Sequence, residues 1–353
     1  MTSPSITVWR LCLPYKQRHK TAKISTSSRD LLLLTATLEE RSWVAEFAPL
    51  PPFSEESIED VMAQLPEVAQ WIETWIPFDV PQKAEASIPL SWAKSLQWGI
   101  SGMIRSNTLA NTQKKEGIQH LDVHTLLPPG DEAHALAGEC AEKTAFKVKV
   151  HPDSWEPLLD TLRAHHQQHP DSRWVLDVNE KGSLEWLYEV DTWCKKHQFD
   201  ALQYMEDPMV VRTPQEARTL IEQSPIKLGF DEFLQPRRRQ ENYGLNEGLE
   251  SLRGAVCVLK PALFGTRHES ITLIEQAQKV GVPVVISTLM ESSIGRALAT
   301  DLALSHGSPT YTHGLDTGHL FEIDLEPFGR KLNATLEKLP VKPVVCYSKT
   351  TLT

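Results

Sequence analysis

Seven polar residues recur at nearly even intervals through the second half of the chain, each where an apolar run ends. They are Lys147 and Lys149 in AFKVKV, Asp177 and Asn179 in WVLDVN, Glu206 in LQYME, Asp231 after KLGF, and Lys260 closing AVCVLK. From Lys149 the successive steps to Asp177, Glu206, Asp231 and Lys260 are 28, 29, 25 and 29 residues. One strand and one helix of a barrel of roughly 250 residues occupy about that length, so successive strands would present these groups to one mouth. Three carboxylates meeting there would repel and raise one another's pKa unless a cation neutralised them. Oxygen-only donors favour a hard ion, Mg²⁺ with Mn²⁺ as a substitute, over zinc. Lys147 and Lys149 share a strand face by the two-residue period, as do Asp177 and Asn179 if their strand persists. Clustered ammonium groups are expected to depress one another's pKa, which a lysine base requires because an ordinary lysine at about 10.4 is protonated at neutral pH. The chemistry implied is removal of a proton next to a carboxylate, with the cation stabilising the enediolate and the lysines moving the proton.

The elements that must position these groups are legible in the same rows. Eight β-rich runs follow residue 118, HLDVHTLL, AFKVKV, RWVLDV, LQYME, IKLGF, AVCVLK, VPVVIS and PTYTHGL, and they alternate with segments of helical period at 154–168, 183–196, 213–223, 266–280 and 292–305. Alternating strands and helices predict a parallel sheet, here an α/β barrel. Before it, ITVWRLCL and LLLLTAT read as paired strands, with a mobile loop expected in the basic stretch YKQRHKTAKISTSSRD between them. Residues 55–76 carry Ile58, Val61, Leu65, Val68 and Ile72 at helical spacing, with Ser54 as the expected cap. Residues 1–97 thus read as an α+β capping unit completed by 320–353, and residues 98–319 as the barrel.

The net charge of −10 argues against nucleic acid, which needs a basic face. Arg237, Arg238 and Arg239 read as a solvated loop. Five scattered cysteines without CxxC spacing suggest neither a disulfide framework nor a zinc site. The longest leucine run is too short for a bilayer, and Arg10, Lys16 and Arg18 interrupt any leader, so no membrane partner and a cytoplasmic location are expected. The partner expected is a small-molecule carboxylate; nothing in the sequence speaks to oligomeric state. His165, His166 and His169 fall at a helix end and read as exposed, and His120 and His124, in strand-like sequence, do not read as a metal pair. Glu232 is expected to make a supporting salt bridge. Ser287 and the segment Glu291-Ser292-Ser293 could hold an anionic group or merely cap a helix.

In order, FKVKV, LDVNEKG, YMEDP, LGFDE and VLKPALFG resemble the muconate-lactonizing branch of the enolase superfamily along the whole chain. Within it, EFAPLPPFSEES, STLMESSIG and HGLDTG are similar to the o-succinylbenzoate synthase family of menaquinone biosynthesis. The resemblance implies a modified (β/α)7β barrel of TIM type under an α+β cap, with Asp177, Glu206 and Asp231 binding Mg²⁺. It implies Lys149 as the base that removes the proton α to the carboxylate of 2-succinyl-6-hydroxy-2,4-cyclohexadiene-1-carboxylate and then helps hydroxide leave as water. Lys260 would stabilise the enediolate with Lys147 assisting. Ser287, Gly314 and Asn179 would contact substrate, and the segment 15–28 would close over it. Two features depart from the family pattern: that segment is longer and more basic, and Val175 stands where some relatives carry arginine. The nearest rival is an N-acylamino acid racemase or dipeptide epimerase, although Asp316-Thr317-Gly318 lacks the second acid of the Asp-x-Asp that the epimerases use.

Overall fold

The structure, a computed structural model, describes residues 3–20, 24–75, 81–112, 121–127, 144–239, 243–325 and 343–347. Eight parallel strands form one sheet: β4 (Val123–Leu127), β5 (Ala145–Lys149), β6 (Arg173–Asp177), β7 (Leu202–Glu206), β8 (Leu228–Phe230), β9 (Val256–Leu259), β10 (Val284–Ile286) and β11 (His313–Asp316). Their spatial order is β10-β9-β8-β7-β6-β5-β4-β11, and a bridge between Ser287 and Gly314 joins the last to the first, closing a barrel. All eight runs read from the sequence are strands here. Strands buried on both faces read as continuous apolar runs, and Trp174, Val175 and Leu176 of β6 are all fully buried.

Helices cover the outside between strands. Those at Trp155–Gln168, Leu184–His197, Pro214–Gln223, Arg267–Lys279 and Ser293–His306, here α4, α5, α6, α9 and α10, match the five periodic segments within one or two residues. Except at α4, where Ser154 makes no capping bond, their starts are set by side chains that satisfy free backbone N–H groups. Ser183 accepts from Trp186 N, Thr213 precedes a proline and accepts from Glu216 N, and Thr266 with Glu269 makes a reciprocal capping box. Two short helices, α7 (Pro236–Arg239) and α8 (Leu245–Ser251), lie between β8 and β9. Inside the barrel Val175, Tyr204, Val256, Val258 and Val285 pack into an apolar plug.

The cap is an antiparallel sheet, β12-β1-β2-β3, built from β1 (Ser5–Lys20), β2 (Ser25–Leu38), β3 (Arg41–Phe47) and β12 (Pro343–Tyr347). Helices α1 (Ile58–Trp75), α2 (Pro81–Ala86) and α3 (Lys94–Thr112) follow β3 in the chain. Helix α1 buries Ile58, Val61, Leu65, Val68 and Ile72 in a core shared with the sheet. Each such side chain contributes about 1.5–3 kcal/mol by leaving water.

Four expectations are corrected. Ser54 does not cap α1: its hydroxyl donates to Glu56 O and accepts from Leu50 N, whereas Ser57 and Asp60 bond reciprocally at the helix start. The basic segment is no loop in its stems, since β1 runs to Lys20 and β2 begins at Ser25, pairing as a hairpin through His19↔Thr26 and Lys20↔Ser25. His165 is buried rather than exposed, edge-on to Phe146 and Trp174 beneath the barrel wall. Arg238, far from being solvated, forks onto Glu180 and approaches Glu232 at 3.9 Å. That contact agrees with the supporting role expected of Glu232. His120 lies outside the described residues.

Candidate functional site

The strand order decides which side chains face one another. β5, carrying Lys147 and Lys149, and β9, followed by Lys260, stand four places apart in the ring of eight, hence on opposite sides. The strands between them, β6, β7 and β8, end in Asp177, Glu206 and, one residue past the strand, Asp231. Register puts Lys149, Asp177 and Glu206 at one level. All of these groups line one cavity at the barrel mouth.

The three lysines have different partners. Lys147 Nζ lies 2.5 Å from Glu206 Oε1 and 3.2 Å from Asp177 Oδ2, and Lys260 is paired with Asp231. Lys149 instead donates to the neutral amide oxygen of Asn179 at 2.9 Å. Burial, helped by the facing charges of Lys147 and Lys260 and opposed by Asp177, holds Lys149 below the usual lysine range. For Lys147 burial acts in the same direction, but Asp177 and Glu206 outweigh it and the group is held well above that range. Lys260 is likewise raised, Asp231 overcoming its burial. Mutual depression of all three lysines was expected; only Lys149 shows it, because the other two have carboxylates as direct partners.

Asn179 reaches the site by a different route from the one the strand period suggested. β6 stops at Asp177, and Asn179 and Glu180 both take left-handed backbone, φ 51° and 63°. The turn brings the Asn179 amide back to donate to Asp177 Oδ1 while accepting from Lys149. It therefore ties the depressed lysine to an acid, and it also lines the cavity.

Glu206 is fully buried, and its Oε2 has no hydrogen-bond partner among the described residues. Burial first, then the neighbouring acids, push its carboxyl up to about 7. A buried carboxylate oxygen without a donor, in a cluster of oxygen donors, fits a hard divalent cation. The tight cluster, with ligand oxygens within 4.8 Å of one another, comprises Glu206, Asp207 and Asp231. Asp207 went unnoticed in the sequence because strand alternation sends the neighbour of Glu206 outward. Its left-handed φ of 42° turns it back, and its two carboxylate oxygens accept the N–H groups of Asp231 (3.1 Å) and Glu232 (3.2 Å). Asp207 is thus occupied in holding the β8 end, while Asp177, the register partner of Glu206 on the neighbouring strand, completes the arc of acids.

Ser287 and Gly314, bridged across β10 and β11, both line the cavity. A Cβ on Gly314 would lie 2.6 Å from Ser287 Oγ and 3.1 Å from His124 Nε2, so only glycine leaves this notch open. His124 was passed over in the sequence but sits in the cavity wall, its pKa lowered to about 3 chiefly by burial. Thr312 Oγ1 donates to Gln203 Oε1, so it accepts from His124 Nδ1, and this network leaves Nε2 as an acceptor. Ser292 serves as a helix cap, accepting from Ile294 N. The cap adds Leu50 and Phe53 to the lining, and the Phe53 ring centroid lies 5.6 Å from Lys260 Nζ. These two follow a proline-rich turn, a signal for a fixed loop but not for where it docks. Among the described residues no helix is long and apolar enough to cross a membrane.

The chain as a whole has counterparts among known proteins. The chain is 28% identical over 329 residues to o-succinylbenzoate synthase of Haemophilus influenzae, covering 92% of this chain and 93% of that one. Its fold is similar to o-succinylbenzoate synthase of Thermosynechococcus elongatus solved with magnesium in the active site, with TM-score 0.68, 19% identity, and 95% and 98% of the two chains covered. It is equally similar to an L-Ala-D/L-Glu epimerase, with TM-score 0.68, 17% identity, and 92% and 96% covered. At such identities the two structures speak to the fold alone. The profile of enolase C-terminal domain-like proteins matches residues 132–333, more than half of the sequence, and the chain belongs to that family.

Proposed function

We propose that the protein is an o-succinylbenzoate synthase that catalyses the syn dehydration of 2-succinyl-6-hydroxy-2,4-cyclohexadiene-1-carboxylate to 2-succinylbenzoate. The observation that carries this reading is the unequal pair across the mouth: Lys149 bonded to a neutral amide, Lys260 bonded to a carboxylate. A racemase removes a proton on one face and returns it on the other, which asks equivalent roles of two opposed lysines; a syn elimination asks one base to act twice. The similarity to synthases over nine-tenths of the chain points the same way.

In this reading Lys149 takes the proton from the ring carbon bearing the carboxylate, and its ammonium then protonates the departing hydroxyl on the same face, so that water leaves and the ring becomes aromatic. Lys260 stabilises the enediolate from the opposite side, and Lys147 adds positive charge from below. Asp177, Glu206 and Asp231 would hold Mg²⁺, with Mn²⁺ a substitute; the bound cation supplies positive charge for the substrate carboxylate. Asn179 orients Lys149, and the Ser287–Gly314 notch receives the succinyl tail. The cap comprises residues 1–97 with 320–353 and the barrel residues 98–319, α3 crossing the first boundary; the enzyme acts in the cytoplasm on a small carboxylate.

The test is turnover of the cyclohexadiene acid with Mg²⁺, followed by ultraviolet absorbance, for the wild type and Lys149→Ala. Rapid dehydration abolished by the substitution is expected. No turnover, with deuterium exchange at the α-carbon of N-succinyl amino acids instead, would replace the synthase by a racemase.

A further inference from the structure

Among the described residues, the bulkiest buried charged side chain outside the acid–lysine ring belongs to the cap. Arg29, on β2, is 2% exposed. Its guanidinium has five N–H groups, and five hydrogen bonds leave it, all to backbone carbonyls. Three acceptors lie in the cap: Asp30 (2.8 Å), Pro49 (2.7 Å) and Ala48 (2.5 Å). Two lie in the barrel, in the segment after β10: Met290 (3.1 Å) and Leu289 (3.3 Å). Both barrel residues line the cavity, as does Leu50, next to Pro49. Met290 is held in left-handed backbone, φ 57°, unusual for a long side chain. The clamp is reinforced beside it. Glu291 accepts from Leu289 N at 2.5 Å, and Glu46 of β3 accepts from Ser292 N, Ser292 Oγ and Gly295 N at the start of α10.

We propose that Arg29 is a positioning residue for substrate affinity: its guanidinium fixes the cap segment 48–50 and the barrel segment 289–290 at one separation, so that two parts of the cavity wall form a single rigid surface. An ordinary interdomain ion pair would join carboxylate to guanidinium. Here the charge is spent on carbonyls of wall residues, so losing it frees the wall backbone itself. The acids and lysines are carried on other strands and stay in place. The defect expected is therefore in binding, not in chemistry. The choice of substrate for the test rests on the synthase reading.

The experiment compares wild type, Arg29→Lys and Arg29→Ala. Lysine keeps the charge but cannot present a five-donor planar fork. For Arg29→Ala, KM rises about tenfold or more while kcat stays within about threefold, because a wall that is no longer pre-organised must be ordered on binding, and tenfold is about 1.4 kcal/mol, the scale of ordering one or two side chains; Arg29→Lys falls between. Mg²⁺ affinity by calorimetry is unchanged, and millimolar methylguanidine restores KM in Arg29→Ala. Amide exchange quickens in peptides covering 48–53 and 287–292 but not in those covering 204–207. A purely structural arginine would lower the melting temperature with KM unchanged and no rescue, and that result overturns the proposal; so does a fall in kcat or Mg²⁺ affinity at constant KM. Should the wild type fail to dehydrate the cyclohexadiene acid, the synthase reading falls alone, and the same KM and kcat split is read on α-proton exchange of an N-succinyl amino acid.

Discussion

Replacing Asp207 by alanine should weaken Mg²⁺ binding far more than it destabilises the metal-free protein, and the two effects can be worked out separately. The substitution leaves the N–H groups of Asp231 and Glu232 without their acceptors. Hydrogen bonds to a charged group contribute about 1.5–3 kcal/mol each, so the gross loss is about 3–6 kcal/mol. Against that, the acids are crowded. Two carboxylates whose oxygens lie within 4.8 Å of one another repel by about 3.5 kcal/mol or more at an effective dielectric constant of about 20. The same crowding, after burial, holds the Asp207 carboxyl well above the usual range. Without the cation, loss of bonds and relief of repulsion therefore largely cancel. With the cation bound there is little repulsion to relieve, and the loss of support for Asp231 is fully felt. Groups that orient metal ligands typically contribute 10- to 100-fold in affinity, about 1.4–2.7 kcal/mol. Calorimetric Mg²⁺ titration and thermal unfolding with and without Mg²⁺ close the cycle. Asp207→Asn, which keeps one acceptor, should fall between. Undiminished Mg²⁺ affinity in Asp207→Ala, or equal destabilisation of the two forms, would refute the assignment of Asp207 as a support for Asp231.

Three further outcomes are expected. Lys149→Ala should lower kcat on the cyclohexadiene acid by roughly 100- to 10,000-fold, the usual weight of a general base, with Mg²⁺ affinity retained; a loss under tenfold would remove Lys149 from that role. Gly229→Ala would place a Cβ 2.5 Å from Cδ2 of the fully buried Tyr204; overpacking of this kind costs about 1–3 kcal/mol, and adding Tyr204→Val should recover part of the loss in denaturant unfolding. Burial first, then Glu46, pushes the Glu291 carboxyl up to about 7 from an ordinary 4.5. The folded state thus keeps this proton longer than the unfolded state, so its contribution is present below pH 4.5 and lost as pH rises through 7. Over that window the wild type should lose on the order of 3 kcal/mol relative to Glu291→Gln; parallel stability profiles for the two proteins would contradict it.

What the sequence made legible was what depends on local period. Helices α4, α5, α6, α9 and α10 and the eight barrel strands follow from apolar spacing, and the caps at Ser183, Thr213, Thr266 and Ser292 then fix where four of those helices begin. The even steps from Lys149 to Lys260 carried the ring of the site because each strand–helix unit has nearly constant length. What stayed hidden depends on partners far away in the chain or on departures from the regular strand. Arg29 meets Met290 across 261 residues, and nothing near Arg29 announces that contact. Asn179 and Asp207 owe their directions to left-handed backbone, which the strand period misassigns. His124 needed Thr312 and Gln203 beside it before its ring acquired a defined role, and His165 at the end of α4 is covered by Phe146 and Trp174 of neighbouring strands. Phe53 could be seen as part of a stiff turn, but its place over Lys260 is set by the docking of the cap.

The apolar plug of Val175, Tyr204, Val256, Val258 and Val285 closes the barrel beneath the acids and lysines. A stopper of that kind denies solvent a drain. Reactant must arrive and both products must depart through the same doorway, the one bordered by Leu50, Phe53, Leu289 and Met290. Traffic in and out is then governed by the cap, while the selection of which bond breaks stays with the barrel, and the two can be altered independently by substitutions on either side of that threshold.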